Sequence, residues 1–126
     1  MDRIELRNAL FTAGASPSEV VSIKLPNGSE LNVEVRGLSQ LARGRLMDEC
    51  MTLNEEGEQE AMSVEKMSPR IVIESCYVPG TSERVFTEGD LEAVGSLSAT
   101  FLDPLFKKAV ALSGLGKDQL KVAEGN

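Results

Sequence analysis

Val21-Ser22-Ile23-Lys24-Leu25-Pro26-Asn27-Gly28-Ser29-Glu30-Leu31-Asn32-Val33-Glu34-Val35-Arg36 decides the fold. Val21, Ile23 and Leu25 alternate with Ser22 and Lys24. Leu31, Val33 and Val35 alternate with Asn32, Glu34 and Arg36. Two runs of period two around Pro26-Asn27-Gly28-Ser29 predict a β-hairpin with one apolar face, because Asn and Gly tolerate the positive φ of a tight turn. A lone hairpin is marginal in water, so that face must be covered. Helices are the other large elements on offer. The predicted class is α+β and mainly helical: a β-hairpin or small antiparallel sheet packed with four to five α-helices.

Downstream, Gly37 ends the second strand and Ser39 can cap a helix running to about Leu53. Leu38, Leu41, Ala42, Leu46, Cys50 and Leu53 form its apolar stripe. Arg45 and Glu49, four apart on the polar side, are spaced to pair weakly. Met47 and Met51 widen the apolar face, beside Arg43. They serve either as the margin of the core or as a soft surface for a partner, since methionine is used both ways. Arg43, Met47 and Met51 are therefore the candidate partner-binding residues. Residues 54–60 are acidic and read as a solvated loop; the ligand spacing of a calcium loop is absent.

Ser68-Pro69 reads as an N-cap followed by proline at the first helical position. A turn of helix over 61–67 stands apart from it. Ile71, Val72, Ser75 and Cys76 then continue a helical stripe toward Val78, although the β-branched run Ile71-Val72-Ile73 leaves a strand open over 71–78. Pro79-Gly80 breaks the chain. Thr87 with Asp90 three residues on is an acidic variant of the capping box. Leu91, Val94, Leu97, Phe101, Leu105, Ala109 and Leu112 make a long helical face. Proline inside a straight helix costs about 3 kcal/mol, so Pro104 favours two helices, 88–95 and one from about 98 that kinks or restarts at Asp103-Pro104. Gly114 or Gly116 supplies the stop.

At the other end, residues 3–11 read as a short helix with Ile4, Leu10 and Phe11 toward a core, broken by Ala13-Gly14-Ala15-Ser16-Pro17. The expected organisation is a single domain over 1–116, with 1–17 as a loosely docked N-terminal arm and 117–126 as a flexible C-terminal tail.

The chain of 126 residues has 13 Lys plus Arg against 20 Asp plus Glu, a formal net charge of −7. That balance argues against nucleic acid and against an anionic membrane surface as partners. Histidine is absent. Catalytic triads, histidine-activated cysteines and histidine-containing zinc sites are thereby excluded. No serine has a base to activate it, and Gly114-Leu115-Gly116-Lys117 lacks the phosphate-loop pattern. Cys50 and Cys76 have no metal-type spacing and read as reduced core thiols. The N-terminus has no secretory signal, and no apolar run spans a bilayer. The expectation is a non-catalytic protein without metal or cofactor.

Four segments carry a family resemblance. Val33-Glu34-Val35-Arg36-Gly37-Leu38-Ser39 leads from the hairpin straight into a charged helix. Ser68-Pro69-Arg70-Ile71-Val72-Ile73-Glu74-Ser75-Cys76 precedes a short loop. Arg84-Val85-Phe86-Thr87-Glu88-Gly89-Asp90-Leu91 opens a helix. The ending from Leu97-Ser98 through Leu105-Phe106-Lys107-Lys108-Ala109-Val110-Ala111-Leu112-Ser113-Gly114-Leu115 closes the set. In this order and spacing, spread over residues 20–115, the chain resembles the tail assembly chaperones of long-tailed bacteriophages, the siphophage type.

The resemblance implies a protein that binds the phage tape-measure protein, a long aggregation-prone helical chain, and keeps it soluble. It implies help in bringing the major tail (tube) protein to that chain, in many phages through a C-terminal extension made by ribosomal frameshifting. Codons for Lys107-Lys108 and Gly116-Lys117 can include slippery runs. It further implies residence in the host cytoplasm and absence from the mature virion. The alternative reading is a structural tail-completion or head–tail connector protein, which stays in the virion and forms rings.

Overall fold

The computed structural model describes residues 1–50 and 64–115. In chain order these form α1 (Arg3–Ala13), β1 (Ser18–Lys24), β2 (Glu30–Arg36), α2 (Gln40–Cys50), α3 (Val64–Ser75), β3 (Cys76–Tyr77), α4 (Leu91–Gly95) and α5 (Ala99–Leu112), with a 3-10 turn at Glu88–Asp90 leading into α4. The class is α+β and mainly helical, as the periodicities predict.

β1 and β2 pair antiparallel in one unbroken register, with Val21 opposite Val33 and Ile23 opposite Leu31. The hairpin turns through Pro26-Asn27-Gly28. The Gly28 N–H bonds to the Leu25 oxygen at 2.9 Å and the Leu25 N–H to the Ser29 oxygen at 2.8 Å. Within this turn Gly28 takes the left-handed conformation, at φ 87°, and Asn27 does not. The loop is thus a three-residue turn closed by a left-handed glycine. β3 adds a short third strand on β2, placing Tyr77 opposite Glu34 and Cys76 opposite Val35, in sheet order β1-β2-β3.

The apolar sheet face is covered by α5 and α3. The core joins Ile23 and Val35 of the sheet to Leu46 and Cys50 of α2, Met67, Ile71 and Val72 of α3, Val94 of α4, and Leu102, Leu105 and Ala109 of α5. Fully burying each such aliphatic side chain contributes about 1.5–3 kcal/mol. Cys50 and Cys76 are both buried, and neither forms a disulfide.

The structure departs from the sequence expectations at both internal prolines. Ser68-Pro69 does not begin a helix; α3 starts at Val64 and holds Pro69 inside it. α5 likewise runs unbroken through Pro104. Both prolines are the sixth residue of their helix. The first four helical N–H groups lack an intrahelical acceptor in any case, so a proline just past them loses a single bond. Burial outweighs that loss: Met67 and Ile71 flank Pro69 one turn apart in the core, and Leu102 and Leu105 flank Pro104. The helix over 71–78 stops at Ser75, where Cys76 and Tyr77 leave it to pair with β2.

Leu41 is not part of the buried stripe of α2 but 72% exposed, and Leu97 also lies at the surface. Leu102, Val110 and Leu115 are buried instead. Ile4, Leu10 and Phe11 do not face a core: α1 has no buried residue, and Phe11 is 66% exposed. This helix is held locally, by the Asp2 carboxylate accepting the Glu5 N–H at 2.8 Å and by the Arg7 guanidinium 4.7 Å from the Phe11 ring centre. The turn of helix expected over 61–67 does not stand apart where it is described, since 64–67 are the start of α3. Its residues 61–63, the acidic stretch 54–60, the end of the second helix at Leu53 and the tail 117–126 lie outside the described residues.

Candidate partner-binding groove

α2 carries Arg43 and Met47, two of the three residues singled out by sequence, and Ser39 sets its start. The Ser39 hydroxyl accepts the Ala42 N–H at 3.1 Å, which satisfies an otherwise orphaned donor of the first turn. Ala42, Leu46 and Cys50 then form the buried stripe. This leaves two flanks. Arg43 and Met47, four residues apart, are half-buried on one, and Met47 packs against the core. Met51 lies outside the described residues. Arg45 and Glu49 stand on the other flank, where the groove is.

The groove consists of two adjoining cavities that share Ala42, Arg45 and Glu74. The first, about 250 Å³, lies between α2 and α3 over Leu46, Ile73 and Leu91, with Arg70 and Glu88 at its edge. The second, about 520 Å³, opens onto the outer sheet face beside Arg36, Tyr77 and Arg84. Together they make an apolar floor with charged walls.

Most of those charges are already matched. Glu49 does not pair with Arg45, one turn away on its own helix; it pairs with Arg70 of α3 at 3.5 Å. Arg84 holds Glu74 at 2.7 Å. Glu34 accepts from Arg36 Nε at 2.5 Å and from the Gly80 N–H at 3.0 Å. The Gly80 N–H and then the Arg36 guanidinium hold the Glu34 carboxyl below its ordinary value. The Arg36 guanidinium also donates to the Thr81 oxygen and lies 4.0 Å from the centre of the Tyr77 ring. Arg45 makes no ion pair among the described residues, although it sits where the two cavities meet.

Sequence reasoning missed this cluster. Glu34 and Arg36 were legible as the polar side of β2, and Tyr77 is the chain's one tyrosine. What joins them is the two-residue strand β3, which no periodicity announces. Among the described residues no cluster of His, Cys, Asp or Glu could hold a metal ion, and no helix is long and apolar enough to cross a membrane. Among the described residues the groove offers hydrogen bonds, the unpaired cation of Arg45 and an apolar floor. Those are means of holding a chain.

No protein-family model matches the sequence, and no curated protein matches it. Among solved structures the chain is similar to the tail assembly chaperone of bacteriophage HK97, at 18% sequence identity and a TM-score of 0.53. The likeness covers 86% of this chain and 96% of that one, so the two share a fold over nearly their whole lengths.

Proposed function

We propose that this protein is a tail assembly chaperone of a long-tailed bacteriophage. It binds the tape-measure protein, keeps that helical chain soluble, and brings tube subunits to it. It acts in the host cytoplasm and leaves before the virion is complete. The observation that carries this reading is the shared fold with the HK97 chaperone. The net charge of −7 suits a protein that must keep an aggregation-prone partner in solution.

α2 is the proposed docking element. A partner helix lying along it meets the apolar floor at Leu46 and Ile73, and gives a carboxylate to Arg45. Arg43 and Met47 extend the contact on the opposite flank; Met51, the third candidate, lies outside the described residues. Tube-subunit recruitment through a frameshifted extension is a separate part of the proposal, and a gene without a slippery heptamer near its 3′ end would remove that part alone.

The test is affinity capture of the tagged protein from phage-infected cells, with mass spectrometry of its partners and of purified virions. Capture of a very long helical tail protein, with no copies of this chain in the virion, is the expected result. Abundant copies in the virion would overturn it in favour of a structural subunit. Arg45→Glu is expected to reduce capture without changing the circular dichroism spectrum, because Arg45 is exposed.

A further inference from the structure

α1 lies on nothing in its own molecule: none of its residues is buried. Leu6, Ala9, Leu10 and Ala13 nevertheless follow the i, i+3, i+4, i+7 spacing of one apolar helical face. Leu6 is 51% exposed and Leu10 62%. A lone helix of 11 residues is marginal in water, so this face calls for a surface to lie on. At 100° per residue, Glu5 borders the face on one side and Arg3 on the other.

The groove presents the matching surface. α3 packs against both α2 and α4, so Ile73 lies in the floor between Leu46 and Leu91. Arg45 stands on the α2 wall. Glu88 stands on the opposite wall, in the turn that leads into α4. Neither makes an ion pair among the described residues. A helix laid over this floor with Leu6 and Leu10 down brings Glu5 to Arg45 and Arg3 to Glu88. Laid the other way round, it would set Glu5 against Glu88 and Arg3 against Arg45. The two pairs therefore select both the occupant and its direction.

The link to β1 decides which molecule supplies the helix. Ser16 and Ser18 line the second cavity, so each α1 is rooted at the rim of its own groove. Pro17 has a fixed φ and confines Ser16 to extended backbone. The Pro17 oxygen is also held by the Gly37 N–H at 2.8 Å. Gly14 and Ala15 alone are left to reverse the chain, and hinges this short favour exchange between copies over folding back. We infer that two copies of this chain exchange α1, each laying Leu6 and Leu10 in the groove of the other. Two grooves set face to face let both helices cross about one two-fold axis. The inference rests on the reading of the groove as a site for a helix: α1 of the second copy holds the place of the partner chain, which must displace it.

Sedimentation equilibrium of the purified chain tests the exchange. The wild type is expected at twice the monomer mass. Leu6→Glu with Leu10→Glu is expected at the monomer mass and still folded by circular dichroism, because α1 buries nothing in its own molecule. Glu5→Arg alone and Arg45→Glu alone should each weaken the dimer by about tenfold, since each sets like charges together in both grooves. An equimolar mixture of those two variants should regain wild-type association, because in the mixed dimer both pairs are again of opposite sign. A helix docked in its own molecule gives no such rescue. A monomeric wild type, a dimer that survives Leu6→Glu with Leu10→Glu, or a mixture no tighter than its parts would each overturn the inference. These readouts use the purified chain alone. A monomer that captures the tape-measure protein overturns the exchange and leaves the chaperone reading standing, and an exchanged dimer that captures no tail protein does the reverse.

Discussion

A Cβ atom on Gly37 would stand 2.2 Å from the main-chain oxygen of Leu112. The end of β2 and the end of α5 touch backbone to backbone there. The next residue locks the contact, with the Leu38 N–H donating to the Ser113 hydroxyl at 2.8 Å. Only glycine allows so close an approach, and this approach closes the helical layer over the sheet. Gly37→Ala must push α5 off β2. The expected loss is about 1–3 kcal/mol, in the range of overpacked cores. Urea denaturation measures it, and an unchanged midpoint would refute the packing argument.

Glu34 ties the sheet to the loop after β3 through Arg36 and the Gly80 N–H. Its folded carboxyl lies below the ordinary value of 4.5, so the folded state binds its proton less readily than the unfolded state does. The stability it contributes is complete above 4.5 and is lost as pH falls through the lower folded value. Glu34→Gln should therefore shallow the acid limb of the stability–pH curve and leave the neutral region flat. Urea midpoints over a pH series, wild type against variant, check the sign.

Ser75 is fully buried, and its hydroxyl has no hydrogen-bond partner among the described residues. A buried hydroxyl without a partner costs about 1–3 kcal/mol. Ser75→Ala removes it with little change of shape and gains helix propensity. The expected outcome is a higher melting temperature. A lower one would mean that the hydroxyl has a partner when the protein is in solution.

Burial pushes the Cys76 thiol up to about 12. The thiolate is the reactive form, so Cys76 should resist alkylation at neutral and mildly alkaline pH. Its labelling rate should follow global unfolding as urea is added. Rapid modification of the native protein at Cys76, read by peptide mass spectrometry, would contradict its burial.

Local chemistry was readable directly. The period-two runs and Gly28 announced the hairpin. The Asp90 carboxylate accepts the Thr87 N–H at 2.8 Å, as the spacing of those two residues predicted. Gly114, at φ 68°, ends α5 in a left-handed stop, with the Leu115 N–H reaching the Val110 oxygen at 3.2 Å. The candidate groove was only half legible. α2 and its flanks followed from the apolar stripe, but the partners of its charges did not. Glu49 had Arg45 one turn away and pairs instead with Arg70, because packing α2 against α3 brings that guanidinium to it.

The sequence by itself determined the elements whose causes lie within a few residues: caps, turns, glycine stops and the alternation of a strand. The tertiary structure alone decided where burial overrides local cost. It carries α3 through Pro69 and α5 through Pro104, since core contacts outweigh one lost hydrogen bond. It ends α3 at Ser75, since β2 offers Cys76 and Tyr77 a ladder. It leaves Ile4, Leu10 and Phe11 of α1 at the surface, since no described element lies across from them. Propensity and capping act through neighbours in the chain. Burial acts through neighbours in space, and those exist only once the chain has folded.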